Sequence, residues 1–137
     1  MIPACSDPVV VVDDDPDHLD MLVTLLERAG FAAAGFADPR DALYYLIDHP
    51  ASLAVIDLNM PNMDGLELSR RLQTSRCDLP FIGISGARDL RSRVFLRALS
   101  DFGAKVCLRK PVDPKRFIAA IEDVLARGAT AHTIARR

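Results

Sequence analysis

No apolar run in this sequence approaches the roughly 20 residues needed to cross a bilayer, so no membrane-spanning helix is expected. The opening residues Met1-Ile2-Pro3-Ala4-Cys5 offer neither the basic stretch nor the apolar core of a signal peptide. Secretion is therefore not expected, and the cytoplasm is the expected location. Cysteine is scarce: Cys5, Cys77 and Cys107 are odd in number, far apart and form no Cys-x-x-Cys. A disulfide framework and a zinc site both fit poorly, which leaves reduced thiols. A bias toward one charge is missing too. A formal charge of −2 argues against a nucleic-acid or membrane-surface module. Linker-like composition is absent, and 137 residues suit one domain and no second. That absence and the native-looking start predict a chain not cut from a longer protein.

What the sequence does have is alternation. Half of its residues are hydrophobic, and apolar runs of four to six alternate with helical patterns. Such alternation predicts an α/β fold, with a parallel sheet covered by helices on both faces. Strands are expected at 8–12, 31–36, 53–56, 81–84 and 106–108, the second the weakest because of its Ala and Gly content. Pro16 opens a helix with Leu22, Leu25, Leu26 and Ala29 as its apolar stripe and Gly30 as its stop. Asp38-Pro39 pairs an N-cap with a first-turn proline and starts a second helix, ended by His49-Pro50. A third runs through Leu66, Leu68 and Leu72, and a fourth spans about 90–100. Asp113-Pro114 repeats the capping device and begins a fifth, carrying Phe117, Ile118, Ile121, Val124 and Leu125 inward. The domain is expected over 1–128, with 129–137 a short tail that frays.

The chemistry sits at the strand ends. Asp13 and Asp14 follow the first strand, Asp57 the third, Ser85 the fourth and Lys110 the fifth. In an open parallel sheet these side chains emerge at the edge where such folds place their ligands. Two carboxylates about 4 Å apart repel by roughly 4 kcal/mol at an effective dielectric near 20. A bound cation removes that conflict, and with only oxygen donors the natural fit is Mg²⁺ that keeps several waters. Asp57 is the candidate nucleophile toward phosphorus. Phosphoryl transfer asks a protein mainly for positioning and charge neutralisation. Mg²⁺ can serve one phosphoryl oxygen, Lys110 a second, and Ser85 with nearby backbone N–H groups the third. Asp15 is expected to cap the first helix, and Lys110-Pro111 is a bond at which a cis peptide is tolerated.

The run from Val9 to Asp14, the stretch from Asp57 through Asn59-Met60-Pro61 to Asp64-Gly65, Ile84-Ser85-Gly86, and Gly103-Ala104 leading to Lys110-Pro111 carry a resemblance. In this order they resemble the receiver domain of two-component response regulators, most of all chemotaxis-type receivers, over about residues 9–125. The resemblance implies a flavodoxin-like doubly wound (βα)5 fold with strand order 2-1-3-4-5. It implies Asp57 as phosphoacceptor, Asp14, Asp57 and the Asn59 main-chain carbonyl as Mg²⁺ ligands, and Asp13 acting through a metal-bound water. Lys110 would hold the phosphoryl group, Ser85 would be the switch hydroxyl, and a histidine kinase or histidine phosphotransfer protein would be the donor. The output would be a contact with a downstream effector protein through the face of the last two helices and the fifth strand. No nucleic acid or membrane is expected as partner, and the chain would be a monomer or a phosphorylation-dependent dimer.

Two departures stand out. Cys107 occupies the fifth-strand position where the family usually carries Tyr or Phe, so the hydroxyl–aromatic relay of the switch is not expected in its usual form. The segment between Ser85 and Lys110 is also longer than usual, with its extra length placed near 87–93. There Arg88, Arg91, Arg93 and Arg97 read as a solvated helix face, with an acidic-partner surface as the alternative. His18 reads as an exposed helix residue rather than a metal ligand, with a place in a kinase docking surface as the alternative. The leading expectation is a stand-alone receiver, not an enzyme beyond its own phosphorylation and dephosphorylation. A phosphorelay shuttle or phosphate sink is the alternative. A Mg²⁺-dependent aspartyl-phosphate phosphohydrolase fits less well, because Asn59 stands where such enzymes place a general acid.

Overall fold

The computed structural model describes residues 7–58, 65–75, 79–86 and 104–135. Its elements are β1 (Val9–Val12), α1 (Pro16–Arg28), β2 (Ala33–Phe36), α2 (Pro39–Asp48), β3 (Leu53–Asp57), α3 (Gly65–Ser75), β4 (Phe81–Ser85), β5 (Ala104–Arg109) and α4 (Pro114–Ala135). The strands form one sheet in the order β2-β1-β3-β4-β5, every pairing parallel. That is the expected flavodoxin-like arrangement. The helix expected at about 90–100 lies outside the described residues.

The uniformly apolar strands are explained by burial on both faces. Val10, Val12, Ala54 and Ile56 pack with Ala42, Leu46, Leu68 and Leu72 of α2 and α3. Val9, Val11, Leu53 and Val55 pack on the other side with Leu22 and Leu26 of α1 and Phe117 and Ile121 of α4. Alternate residues of one strand thus feed two cores, and a polar residue on either face would be stranded.

Helix starts follow one device. Asp15, Asp38 and Asp113 each accept a backbone N–H from the first helical turn, with proline at the next position. α1 ends in a Schellman motif: Gly30 (φ 95°) donates to the Glu27 carbonyl at 3.0 Å and Phe31 to that of Leu26 at 2.9 Å. Because the Phe31 N–H is spent on this cap, β2 begins at Ala33, two residues later than its apolar run suggests. α4 departs from expectation in the other direction. The tail 129–137 is expected to fray, yet the helix continues to Ala135. An interior glycine costs only about 1 kcal/mol, and the Ala-rich stretch that follows favours helix.

Candidate functional site

Register aligns the strand ends. Val12 pairs with Ile56, so Asp13 and Asp57 lie level on adjacent strands. Asp57 pairs with Ile84 and Ser85 with Arg109, which puts Ser85 and Lys110 one step further across the same edge. Backbone bonds fix these ends: Asp13 N–H to the Phe36 carbonyl at 3.1 Å, Leu58 N–H to Ile84 at 2.9 Å, and Lys110 N–H to Ser85 at 2.9 Å. The Lys110–Pro111 bond is cis.

Carboxylate oxygens of Asp13, Asp14 and Asp57 all lie within 4.8 Å of one another. Asp13 and Asp57 are buried, at 0% and 2% exposure, whereas Asp14 is open to solvent. The Lys110 ammonium donates to Asp57 Oδ2 at 3.2 Å. Asp13 Oδ1 accepts the Asp15 N–H at 3.0 Å, and its Oδ2 meets Nδ1 of His18. Ser85 is fully buried at its strand end. Asn59 lies outside the described residues.

A small hard dication that retains some waters suits this donor set. Three carboxylates with one ammonium in direct contact leave an excess of negative charge, all of it on oxygen, and one carboxylate faces water through which an ion can arrive. Asp14, Asp57 and Asp13 would hold the ion. Its chemistry would be to neutralise charge on a phosphoryl oxygen at the same edge.

Cys107 lies opposite Gly83 in the β4–β5 ladder and packs, half-buried, against the α2–α3 core. Burial pushes its thiol up, so it behaves as a small apolar side chain. His18 is where sequence reasoning missed. It is not an exposed helix residue: its side chain is 18% accessible and turned back onto Asp13. The signal was its position in the first turn of α1, since helical side chains lean toward the N-terminus and there onto whatever precedes the cap.

A parallel sheet in this order with acidic groups and a lysine at its carboxyl edge defines a class of phosphoacceptor signalling domains. The family model of the response regulator receiver domain matches residues 9–122, and the chain belongs to that family. It is 32% identical over 122 residues to the response regulator GtcR of Aneurinibacillus migulanus, a match covering 89% of this chain and 49% of that protein. It is 36% identical over 110 residues to the C4-dicarboxylate transport transcriptional regulatory protein DctD of Rhizobium meliloti, covering 80% of this chain and 23% of that one. The chain thus spans half or less of these curated relatives. Among solved structures it resembles a CheY-like receiver domain protein from Methanospirillum hungatei JF-1, with TM-score 0.85 and 25% identity over 92% of this chain and 98% of that one. Receiver domains are phosphoacceptor modules of two-component systems, phosphorylated on aspartate, generally binding Mg²⁺, and acting between histidine kinases and downstream effectors. Among the described residues no helix is long and apolar enough to cross a membrane.

Proposed function

We propose that this chain is a stand-alone cytoplasmic receiver, its domain spanning residues 1–128, that accepts a phosphoryl group on Asp57 in a Mg²⁺-dependent reaction. The donor is a histidine kinase or a histidine phosphotransfer protein, and the output is a contact with a downstream effector protein. The observation that carries this reading is the buried Asp57 carboxylate, paired with Lys110 at 3.2 Å and grouped with Asp13 and Asp14. An oxygen of Asp57 attacks phosphorus, a P–O bond forms, and the P–N bond to the donor imidazole breaks. Its electron pair returns to the imidazole, which takes up a proton. Lys110, already placed against Asp57, follows the transferred charge, and Ser85 offers a hydroxyl at the next strand end. The product carries up to about two negative charges where the carboxylate carried one, a change at a buried edge that biases the surrounding loops between two arrangements.

The length of the curated relatives favours a second reading, in which the same chemistry serves as the receiver part of a longer regulator. A shuttle that passes the group to another histidine shares the site and differs only in output. Incubation with acetyl phosphate and Mg²⁺ is expected to add one phosphoryl group to the wild type and none to Asp57→Asn. Labelling that persists in the variant rejects Asp57 as acceptor. Transfer of the group onto a purified phosphotransfer protein, in place of effector capture, identifies the shuttle. Sustained turnover of phosphate monoesters would instead make the chain a hydrolase.

A further inference from the structure

The three carboxylates at the sheet edge meet different surroundings. Asp57 takes the Lys110 ammonium at 3.2 Å, and Asp14 faces water. Asp13 is closed to solvent and is served by the chain on both oxygens. Its Oδ1 accepts the Asp15 N–H at 3.0 Å, and its Oδ2 meets Nδ1 of His18. A buried carboxylate needs such partners, because its charge is costly without them. The His18 ring is largely covered and its backbone belongs to the first turn of α1, where its N–H reaches Asp15 Oδ1 at 3.4 Å. Nδ1 is thus committed to Asp13, and the ligand atoms grouped within 4.8 Å are those of Asp13, Asp14 and Asp57.

We propose that His18 is a positioning residue that competes with the cation for Asp13, and so sets the Mg²⁺ concentration at which the pocket fills. The inference rests on the reading of the acidic pocket as a metal site. An ion that draws on Asp13, directly or through a bound water, meets oxygens that are already bonded. The Asp15 N–H belongs to the backbone of the same turn and stays. The imidazole hangs from a rotatable side chain and is the partner that can turn away. An orienting role for it would be redundant. Asp13 is already fixed by its own N–H on the Phe36 carbonyl at 3.1 Å and by the Asp15 contact. Release of the ring costs one charge-assisted hydrogen bond, and that cost weakens the binding of every divalent ion alike. Without the imidazole, the buried charge of Asp13 is less well compensated, and a cation gains more by approaching it.

The test is calorimetric titration of the full chain with Mg²⁺ and Ca²⁺, in wild type, His18→Ala, His18→Leu and His18→Asn. Asn places an amide nitrogen where Nδ1 stood, whereas Leu fills the space with no donor. Ala and Leu should bind both ions about tenfold more tightly, and Asn should stay within about threefold of wild type. In the wild type, the His18 ring resonances, identified by their loss in the Ala variant, should shift as Mg²⁺ is added and saturate with the calorimetric curve. The rise in Tm that Mg²⁺ produces over chelator should be larger in His18→Ala than in wild type, because the lost contact weakens mainly the chelated form. Unchanged or weaker binding in Ala and Leu overturns the competition. Ring resonances that do not move at saturation overturn it too, even where a variant fails to fold. Tightening in Asn equal to that in Leu removes the donor contact as its cause and overturns it as well. Absence of divalent-ion binding in the wild type would instead reject the metal site, and this inference with it.

Discussion

At the scale of single residues, side-chain size near the site is as constrained as charge. A Cβ on Gly83 would stand 2.8 Å from Leu58 Cδ1 and 3.4 Å from Cys107 Sγ. Leu58 is buried and sits next to Asp57, so crowding at Gly83 presses on the residue that follows the phosphoacceptor candidate. Gly83→Val should lower stability by about 1–3 kcal/mol, the usual range for overpacking a filled core. A urea titration measures it, and an unchanged midpoint would show that Leu58 yields freely. The same contact bears on Cys107. A small side chain faces a strand position with no side chain at all, so the two residues form a matched pair and not two independent losses of bulk. The identity of Cys107 was plain in the sequence. Its pairing with Gly83 was not, because strand register depends on the whole sheet. Asp13, Asp14, Asp57, Ser85 and Lys110 were legible as a group because each stands at the end of an apolar run or one residue beyond it. His18 was not, because helical periodicity gives a face but not the neighbour lying behind a cap.

At the scale of elements, composition set the helix starts and packing set several of the ends. The Asp-Pro device marks α1, α2 and α4 because one side chain satisfies an orphan N–H while proline gives up one that needs no partner. Gly30 was legible as a stop, but the hydrogen bond that carries Phe31 into the cap shortens β2 in a way that the apolar pattern hides. α3 is held differently, through Glu67, which binds Arg70 at 2.7 Å and Arg71 at 3.0 Å on the solvent side. Hydrogen bonds from Arg70 and then Arg71 hold the Glu67 carboxyl down to about 2 from an ordinary 4.5. A depressed carboxyl stabilises the fold above its unfolded value, and the contribution fades as pH falls from about 4.5 toward 2. Melting curves of wild type and Glu67→Gln should therefore differ slightly at pH 6, with the wild type higher, and converge near pH 2. The gap should also narrow in high salt, since all three side chains are exposed. A gap that widens in acid would assign the effect to something other than this fork.

At the scale of the whole molecule, the parallel sheet turns local sequence into a site. Each strand contributes its last residues to one edge only because all the pairings are parallel and nearly in register, which in turn requires helical crossovers that bury both faces. The core therefore fixes the separation of Asp13 from Asp57, and like charges are kept together by packing that they do not themselves favour. A cation that relieves this crowding must stabilise the fold, because the unfolded chain scatters the same carboxylates. At a free concentration of 100 times its dissociation constant, such an ion adds about 2.7 kcal/mol. For a domain of this size that is a rise in Tm of roughly 8–13 °C. Mg²⁺ added to the chelator-treated protein should produce this rise, and Asp14→Asn should lose most of it. Asp14 suits the purpose because it is exposed, so its replacement leaves both cores untouched. An equal rise in wild type and variant would place the stabilising ion elsewhere on the molecule.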